Sequence, residues 1–172
     1  MAAAEVDLGR VISRRTLLVY CESSRQASEL IGAAFDFAGG GSRVVALAVT
    51  FVPPSLPLHG LPSHMDDRSQ AILLRAGDIA RRRGSGIETR LQRGRDAASV
   101  IVREARRLEA SAIFLALEEP RFGWLRPMLP RPARQVIRLA PCPVFLVHFP
   151  FGSGRETSGV MTEVERLVGR PS

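Results

Sequence analysis

The stretch that decides the fold is residues 110–147, ASAIFLALEEPRFGWLRPMLPRPARQVIRLAPCPVFLV. Residues 111–117 are an apolar run, residues 131–139 have small and apolar side chains at helical spacing, and residues 143–148 are apolar again. This order predicts a buried strand, a loop, a short helix and a second buried strand. In a parallel α/β sheet, the loop that leaves the carboxyl end of a strand is the usual place for a ligand. Here that loop, residues 118–132, has one glycine and four prolines, whereas a phosphate cradle would need glycines.

The rest of the chain continues the same alternation of strands and helices. Residues 16–21 and 43–52 are continuous apolar runs, as expected of strands buried on both faces, and residues 87–91 alternate like a strand nearer an edge. Helical patterns fill the intervals between them. Alternation of this kind predicts an α/β fold, in which a mostly parallel sheet is covered by helices on both faces.

Two helix starts are visible in the sequence. Ser23 or Ser24 begins the first helix, and Ser23 with Gln26 three residues later fits a capping box. Asp96 caps the third helix. Capping also accounts for the two serines without catalysis, because no Gly-x-Ser-x-Gly turn surrounds them.

Length and composition bound the classes of protein that fit. The 172 residues predict one domain, residues 14–149, with a flexible leader at residues 1–13 and a tail at residues 150–172 that can form a short helix. No apolar run approaches the ~20 residues of a membrane span, and no secretory signal is visible, so we expect a cytoplasmic protein. All 24 basic residues are arginine, which excludes Schiff-base chemistry and a P-loop lysine.

The cysteines and histidines are interpreted as ordinary structural residues. Cys21 and Cys142 are expected to be buried free thiols, with a redox pair as the alternative. His59 and His64 lie in a proline-rich loop close to Asp66, and a metal site would need better arranged ligands. We therefore expect a solvated loop there and no metal.

The positive charge is concentrated in residues 75–107, which carry ten arginines against four carboxylates. A basic surface can attract nucleic acid, anionic membranes or phosphate ligands. A charge run is more often a solvated helix face, and that is the interpretation preferred here. A nucleic-acid partner is kept as the alternative.

Residues 136–147 (VIRLAPCPVFLV), together with the strand, turn and helix order of residues 87–117, resemble the universal stress protein family. The resemblance extends over about residues 14–148. It implies a single Rossmann-like domain of the adenine nucleotide alpha hydrolase type, with a five-stranded parallel sheet in the order 3-2-1-4-5. It also implies a homodimer formed through the last strand, whose residues here are Pro143, Val144, Phe145, Leu146, Val147 and His148.

Many members of that family bind ATP, and the resemblance places the corresponding positions in this chain. The Asp that ends the first strand of the family falls on Glu22, and the adenine-contacting backbone position falls on Val49. The family loop has the form Gly-x2-Gly-x9-Gly-Ser/Thr. Its three glycines and its hydroxyl residue fall, in order, on Leu117, Pro120, Pro130 and Arg131.

The loss of all three glycines predicts weak phosphate binding. Glycine lets the main chain approach phosphate oxygens closely, whereas proline fixes φ and has no N–H to donate. A hydrogen bond to a charged group contributes roughly 1.5–3 kcal/mol, so losing two would weaken binding on the order of 10²- to 10⁴-fold. Arg121, Arg126 and Arg131 offer supporting phosphate contacts. We expect no bound cofactor and no ATP binding of the usual kind.

The sequence therefore predicts a non-catalytic, dimeric regulatory or interaction module in stress response, with an unidentified protein partner. One alternative is a stress protein that binds ATP or AMP, with weak hydrolysis. The other is an arginine-rich protein associated with nucleic acid.

Overall fold

The structure, a computed structural model, describes residues 15–38, 41–57, 63–118 and 131–149. The predicted leader, residues 1–13, and the predicted tail, residues 150–172, lie outside these residues. The division of the chain into leader, domain and tail therefore stays a prediction.

Five strands and four helices alternate along the described chain. The strands are β1 (Thr16–Tyr20), β2 (Arg43–Phe51), β3 (Glu88–Gly94), β4 (Ala112–Glu118) and β5 (Val144–Phe149). The helices are α1 (Ser24–Ala38), α2 (Asp67–Arg82), α3 (Ala97–Arg107) and α4 (Arg131–Leu139), and a 3-10 turn (Ser63–Asp66) precedes α2. All neighbouring strands pair in parallel, in the order β3-β2-β1-β4-β5. The predicted fold class and strand order are confirmed.

The central strand β1 is buried on both faces, which explains its continuous apolar sequence. Its odd-numbered residues, beginning with Leu17, pack beneath α1 and α2. Its even-numbered residues, beginning with Leu18, pack beneath α3 and α4. The sheet therefore has a separate apolar layer on each side, and β3 and β5 form its two edges.

The edge strand β3 is longer than the alternation in the sequence predicts. It pairs with β2 as far as Phe51 opposite Gly94, three residues beyond Leu91. Gly94 allows α3 to pack closely on this end of the strand, since a Cβ there would lie 2.3 Å from Cγ2 of Val100. The sequence pattern does not reveal this extension, because its side chains are polar and an edge strand does not need apolar residues along its whole length.

Helix α3 buries a charged residue that its apolar stripe does not reveal. Glu104 is 2 % exposed, and its carboxylate accepts hydrogen bonds from the guanidinium of Arg107 at 3.2 and 2.9 Å. The Arg90 guanidinium on β3 approaches the same carboxylate, at 3.9 Å. The ion pairs satisfy a carboxylate that would otherwise be costly to bury.

Among the described helices, none is long and apolar enough to cross a membrane.

Candidate functional site

The strand order reverses between β1 and β4, and their carboxyl ends therefore border a crevice. Three positions identified in the sequence come together along this edge of the sheet. Glu22 follows β1 and is exposed, while Val49 near the end of β2 and Leu117 near the end of β4 are half-buried. The side chain of Leu117 thus stands where the family pattern has a glycine. The three strands are direct neighbours, so these three positions lie along one edge of the sheet.

The start of α1 uses its own polar groups beside this crevice. The backbone N–H of Gln26 donates to the hydroxyl oxygen of Ser23 at 3.2 Å. The Gln26 side-chain oxygen in turn accepts from the backbone N–H of Glu22 at 3.3 Å. The Ser23 half of the predicted capping box is thus confirmed, whereas the Gln26 side chain bonds the N–H of Glu22, one residue before the cap. The amide donor of Glu22 therefore already has a partner within the chain.

Two ionisable side chains at the end of β1 are held neutral. Burial raises the pKa of the Tyr20 phenol, and the nearby Glu22 carboxylate raises it further. Burial also raises the pKa of the Cys21 thiol to about 12. A thiol must ionise to act as a nucleophile, so Cys21 is unreactive near neutral pH. Neither group is suited to attack a phosphate or an acyl group.

A buried polar cluster lies beside the crevice, where β2 and β3 end. The Arg93 guanidinium donates to both carboxylate oxygens of Asp66, at 3.3 and 2.5 Å, and the Thr50 hydroxyl lies 3.0 Å from that of Ser69. The hydrogen bonds from Arg93 hold the pKa of the Asp66 carboxyl below its usual range, against the opposing effect of burial. We name the group Thr50, Asp66, Ser69 and Arg93 the polar cluster.

The polar cluster corrects the sequence interpretation of Asp66. The sequence places Asp66 close to a solvated loop that holds His59 and His64, but Asp66 is buried and paired with Arg93. Its partner lies 27 residues away on another element, so no local pattern could reveal the pair. His64 is exposed as expected, and His59 lies outside the described residues.

The loop that follows β4 is described only at its two ends. Pro120, Arg121, Arg126 and Pro130 lie outside the described residues, so their predicted roles rest on the sequence. Arg131 is the first residue of α4 and is exposed. An exposed arginine therefore stands at the helix start, where the family pattern has a Ser or Thr.

The predicted dimer strand forms an edge of the sheet. Val144, Leu146 and Val147 are half-buried, whereas Phe145 and His148 are exposed, as is Pro143 just before the strand. The Phe145 ring stacks on Phe114 at 5.0 Å between centroids and lies 4.7 Å from Phe37. An apolar edge strand of this kind is accessible to a partner strand.

The arginines of residues 75–107 are less free than their number indicates. Five of the ten, namely Arg81, Arg83, Arg90, Arg93 and Arg107, form ion pairs with carboxylates. Arg95 instead donates to the carbonyl oxygens of Pro54 and Leu56. The predicted solvated face is therefore corrected in part, because Arg90 and Arg93 are half-buried and hold carboxylates within the fold.

The described part of the chain contains no group of three histidine, cysteine or acidic side chains placed to hold a metal ion. Both cysteines are free thiols. Cys21 is buried as predicted, but Cys142 is only half-buried, because it lies in the turn that leads into the edge strand β5.

Comparison with known proteins identifies the family. The model of the Universal stress protein family matches residues 13–148. A universal stress protein from Archaeoglobus fulgidus has a TM-score of 0.59 at 19% identity, covering 80% of this chain and 96% of that chain. A family member from Burkholderia pseudomallei has a TM-score of 0.56 at 26% identity, covering 77% and 94%. An Archaeoglobus fulgidus universal stress protein in complex with dAMP has a TM-score of 0.56 at 23% identity, covering 78% and 98%.

No curated protein matches the chain. The family match nevertheless spans most of the 172 residues and coincides with the sheet and its helices. The residues that carry the sequence resemblance, from β1 to β5, lie within the matched region. The chain therefore belongs to the universal stress protein family.

Proposed function

We propose that this chain is a non-catalytic, dimeric universal stress protein that acts as a regulatory or interaction module and does not bind ATP in the usual family manner. The proposal rests chiefly on the crevice edge. There, side chains occupy positions where phosphate-binding relatives need open main chain, and one main-chain N–H is already hydrogen-bonded within the chain. The N–H of Glu22 is bonded to Gln26, and the Leu117 side chain occupies the first glycine position.

The loop sequence adds to this argument. Pro120 and Pro130 have no N–H to offer a phosphate, and their fixed φ excludes the conformations that glycine allows. The carboxylate of Glu22 adds negative charge at the crevice edge, which repels an approaching phosphate. Arg131 at the start of α4 acts in the opposite direction, but as a flexible side chain it replaces a hydroxyl without replacing the lost amide donors.

A restored loop is the sharpest experiment on this point. We expect the combined variant Pro120→Gly, Pro130→Gly, Arg131→Ser to bind Mg-ATP on the order of 10²- to 10⁴-fold more tightly than the unaltered chain, because two donors to charged oxygens return. Pro57→Gly, in the loop after β2, is the matched control and is expected to leave the affinity unchanged. Equal affinities for all three proteins, measured by calorimetry, would contradict our account of the loop.

Nucleotide binding is the second candidate function. A relative of the same family and fold forms a complex with dAMP, which favours an adenine site at this edge of the sheet. A ligand of that kind has one phosphate and depends less on the loop. Tight binding of AMP together with slow ATP hydrolysis would favour this candidate over a purely regulatory role.

The dimer is proposed to form through β5. The carbonyl of Pro143 accepts from the N–H of Ile113 on β4, so the main-chain groups of Val144 and Leu146, which alternate with it, point away from β4. Val144→Pro removes one such N–H from each copy, and a first strand position tolerates proline. Sedimentation should show a dimer for the unaltered chain and a weaker dimer for the variant. A monomer in the unaltered chain would overturn this part.

The nucleic-acid alternative is less well supported, because half of the arginines in residues 75–107 are paired with carboxylates. Binding to DNA or RNA that weakens steeply with added salt would reinstate it. A cytoplasmic location is proposed from the free thiols, which are typical of reducing compartments. Cell fractionation is the measurement for that part.

A further inference from the structure

A groove of about 690 Å³ lies between helix α2 and the edge strand β3, away from β5. We name it the α2–β3 groove. Its lining is mainly apolar and small, with Leu73, Leu74, Gly77, Ala80, Ile87 and Leu91 among its residues. Leu74 is 72% exposed, the largest exposure of any bulky apolar side chain in the described residues. An open apolar groove with such a residue at its lip is typical of a docking surface.

Gly77 has no explanation in the packing of the described chain. It lies inside the 16-residue helix α2, where glycine costs about 0.5–1 kcal/mol relative to alanine. A Cβ at Gly77 would meet nothing within 4 Å, and its φ is not in the positive region. Gly86, which also lines the groove, has equally open space above it. Bare backbone at both positions would let another chain segment approach closely.

The last part of the sequence has the pattern that this groove fits. In residues 160–168 (VMTEVERLV), the apolar side chains recur at helical spacing. At about 100° per residue, they form one face, with Glu163 and Glu165 at its two borders and Arg166 on the opposite side. The groove lip also carries Arg81, whose exposed guanidinium is already paired with the carboxylate of Asp78, so the match between segment and groove rests on their apolar surfaces.

The lengths of the segment and of the residues that connect it to β5 are also compatible with docking in the groove. Nine helical residues span about 13 Å, and the groove side of α2 from Gln70 to Arg81 spans about 16 Å. Strand β5 ends four strand positions from β3, about 19 Å across the sheet, with α2 about 10 Å above it. The ten residues 150–159 reach about 33 Å when extended. The connection is therefore long enough to join β5 to the groove within one chain.

We propose that residues 160–168 form a short amphipathic helix that docks in the α2–β3 groove of the same chain, with Leu167 and Val164 against Leu74 and Gly77. This docking covers the exposed apolar surface of α2 and gives the bare backbone at Gly77 a packing partner. It is independent of whether the crevice binds a nucleotide.

A nitroxide spin label in the full chain tests the proposal. The label is attached at Thr162→Cys, which lies on the polar side of the segment, in a Cys142→Ser background where the buried Cys21 stays unlabelled. We expect the NMR amide signals of Leu74, Gly77 and Ile87 to broaden. Gly77→Leu, which fills the groove, should abolish the broadening, whereas Ala71→Leu on an exposed part of α2 outside the groove should not.

A variant of the segment and a mixed sample test the proposal independently of Gly77→Leu. Val164→Asp with Leu167→Asp alters only the segment and should also abolish the broadening, even where Gly77→Leu disturbs α2. Broadening at another surface, or at none, would overturn the proposal. A sample that mixes labelled chains with isotope-enriched unlabelled chains separates docking within a chain from docking between copies. Broadening of the enriched, unlabelled chains in that mixed sample would refute docking within one chain.

Discussion

Replacing Asp66 by Asn tests the polar cluster most sharply. The Asp66 carboxylate is 6% exposed and accepts two hydrogen bonds from Arg93, one of them at 2.5 Å. Asn keeps the shape of the side chain but removes its charge. Arg93, near the end of β3, then loses its counter-ion, which lies just before the start of α2. The pair therefore fixes the connection from β2 to α2 against the sheet.

The expected loss in the free energy of unfolding follows from the burial of Asp66 and Arg93. Breaking a fully buried ion pair by removing one partner costs about 3–5 kcal/mol. The Arg93 side chain is 30% exposed, so water solvates part of the charge that Asp66 leaves behind. Hydrogen bonds to charged groups contribute about 1.5–3 kcal/mol. We therefore expect Asp66→Asn to lower the free energy of unfolding by about 2 kcal/mol at pH 7.

The effect should depend on pH in a defined direction. The hydrogen bonds from Arg93 lower the pKa of Asp66 in the folded chain. The stabilisation is therefore fully present above the pKa of an unfolded Asp and is lost as the pH falls through the lower folded value. The difference between the unaltered chain and Asp66→Asn should shrink progressively below about pH 4, where an unfolded Asp takes up its proton.

Urea unfolding at pH 7 and at several lower pH values measures both predictions. Asp78→Asn is the matched control, because Asp78 pairs with Arg81 one helical turn away in an exposed position. Exposed pairs contribute about 0–1 kcal/mol, so this control should change little. Equal losses for Asp66→Asn and Asp78→Asn, or a loss for Asp66→Asn that does not vary with pH, would refute the reasoning.

Three further predictions follow from single contacts. Gly94→Ala should destabilise the fold by about 1–3 kcal/mol, since its Cβ would meet Val100 at 2.3 Å; thermal unfolding measures the loss. Asp96→Ala should cost about 1 kcal/mol through the lost cap of α3, also measured by unfolding. A thiol reagent at pH 8 should modify Cys142 in the native chain and Cys21 only after unfolding, because burial raises the Cys21 pKa to about 12; rapid native labelling of both would contradict this.

The fold could be predicted because its signals are local. The continuous apolar runs give β1, β2, β4 and β5 to within about a residue at each end, since strands buried on both faces carry few polar side chains and the edge strand β5 is apolar apart from His148. The helix at residues 131–139 has the predicted bounds. The edge strand β3 differs, because it carries the half-buried polar residues Gln92 and Arg93, and only pairing with β2 shows where it ends.

The strand ends that border the crevice could be predicted from the sequence, whereas the polar contacts near them could not. The resemblance to the family locates Glu22, Val49 and Leu117 at one edge of the sheet, and the parallel topology brings them together. The pairing of Asp66 with Arg93 joins two elements whose approach depends on the register of β3. The burial of Glu104 likewise depends on how α3 packs on the sheet. Contacts of this kind have no periodic signature in a single sequence.

The most direct measurement of the central claim is a calorimetric titration of the full, unaltered chain with Mg-ATP. The claim is that a crevice edge with proline and leucine at the glycine positions cannot supply the main-chain donors that a triphosphate needs. We predict no binding in the low-micromolar range. Low-micromolar affinity, with heat that saturates at one nucleotide per chain, would contradict it.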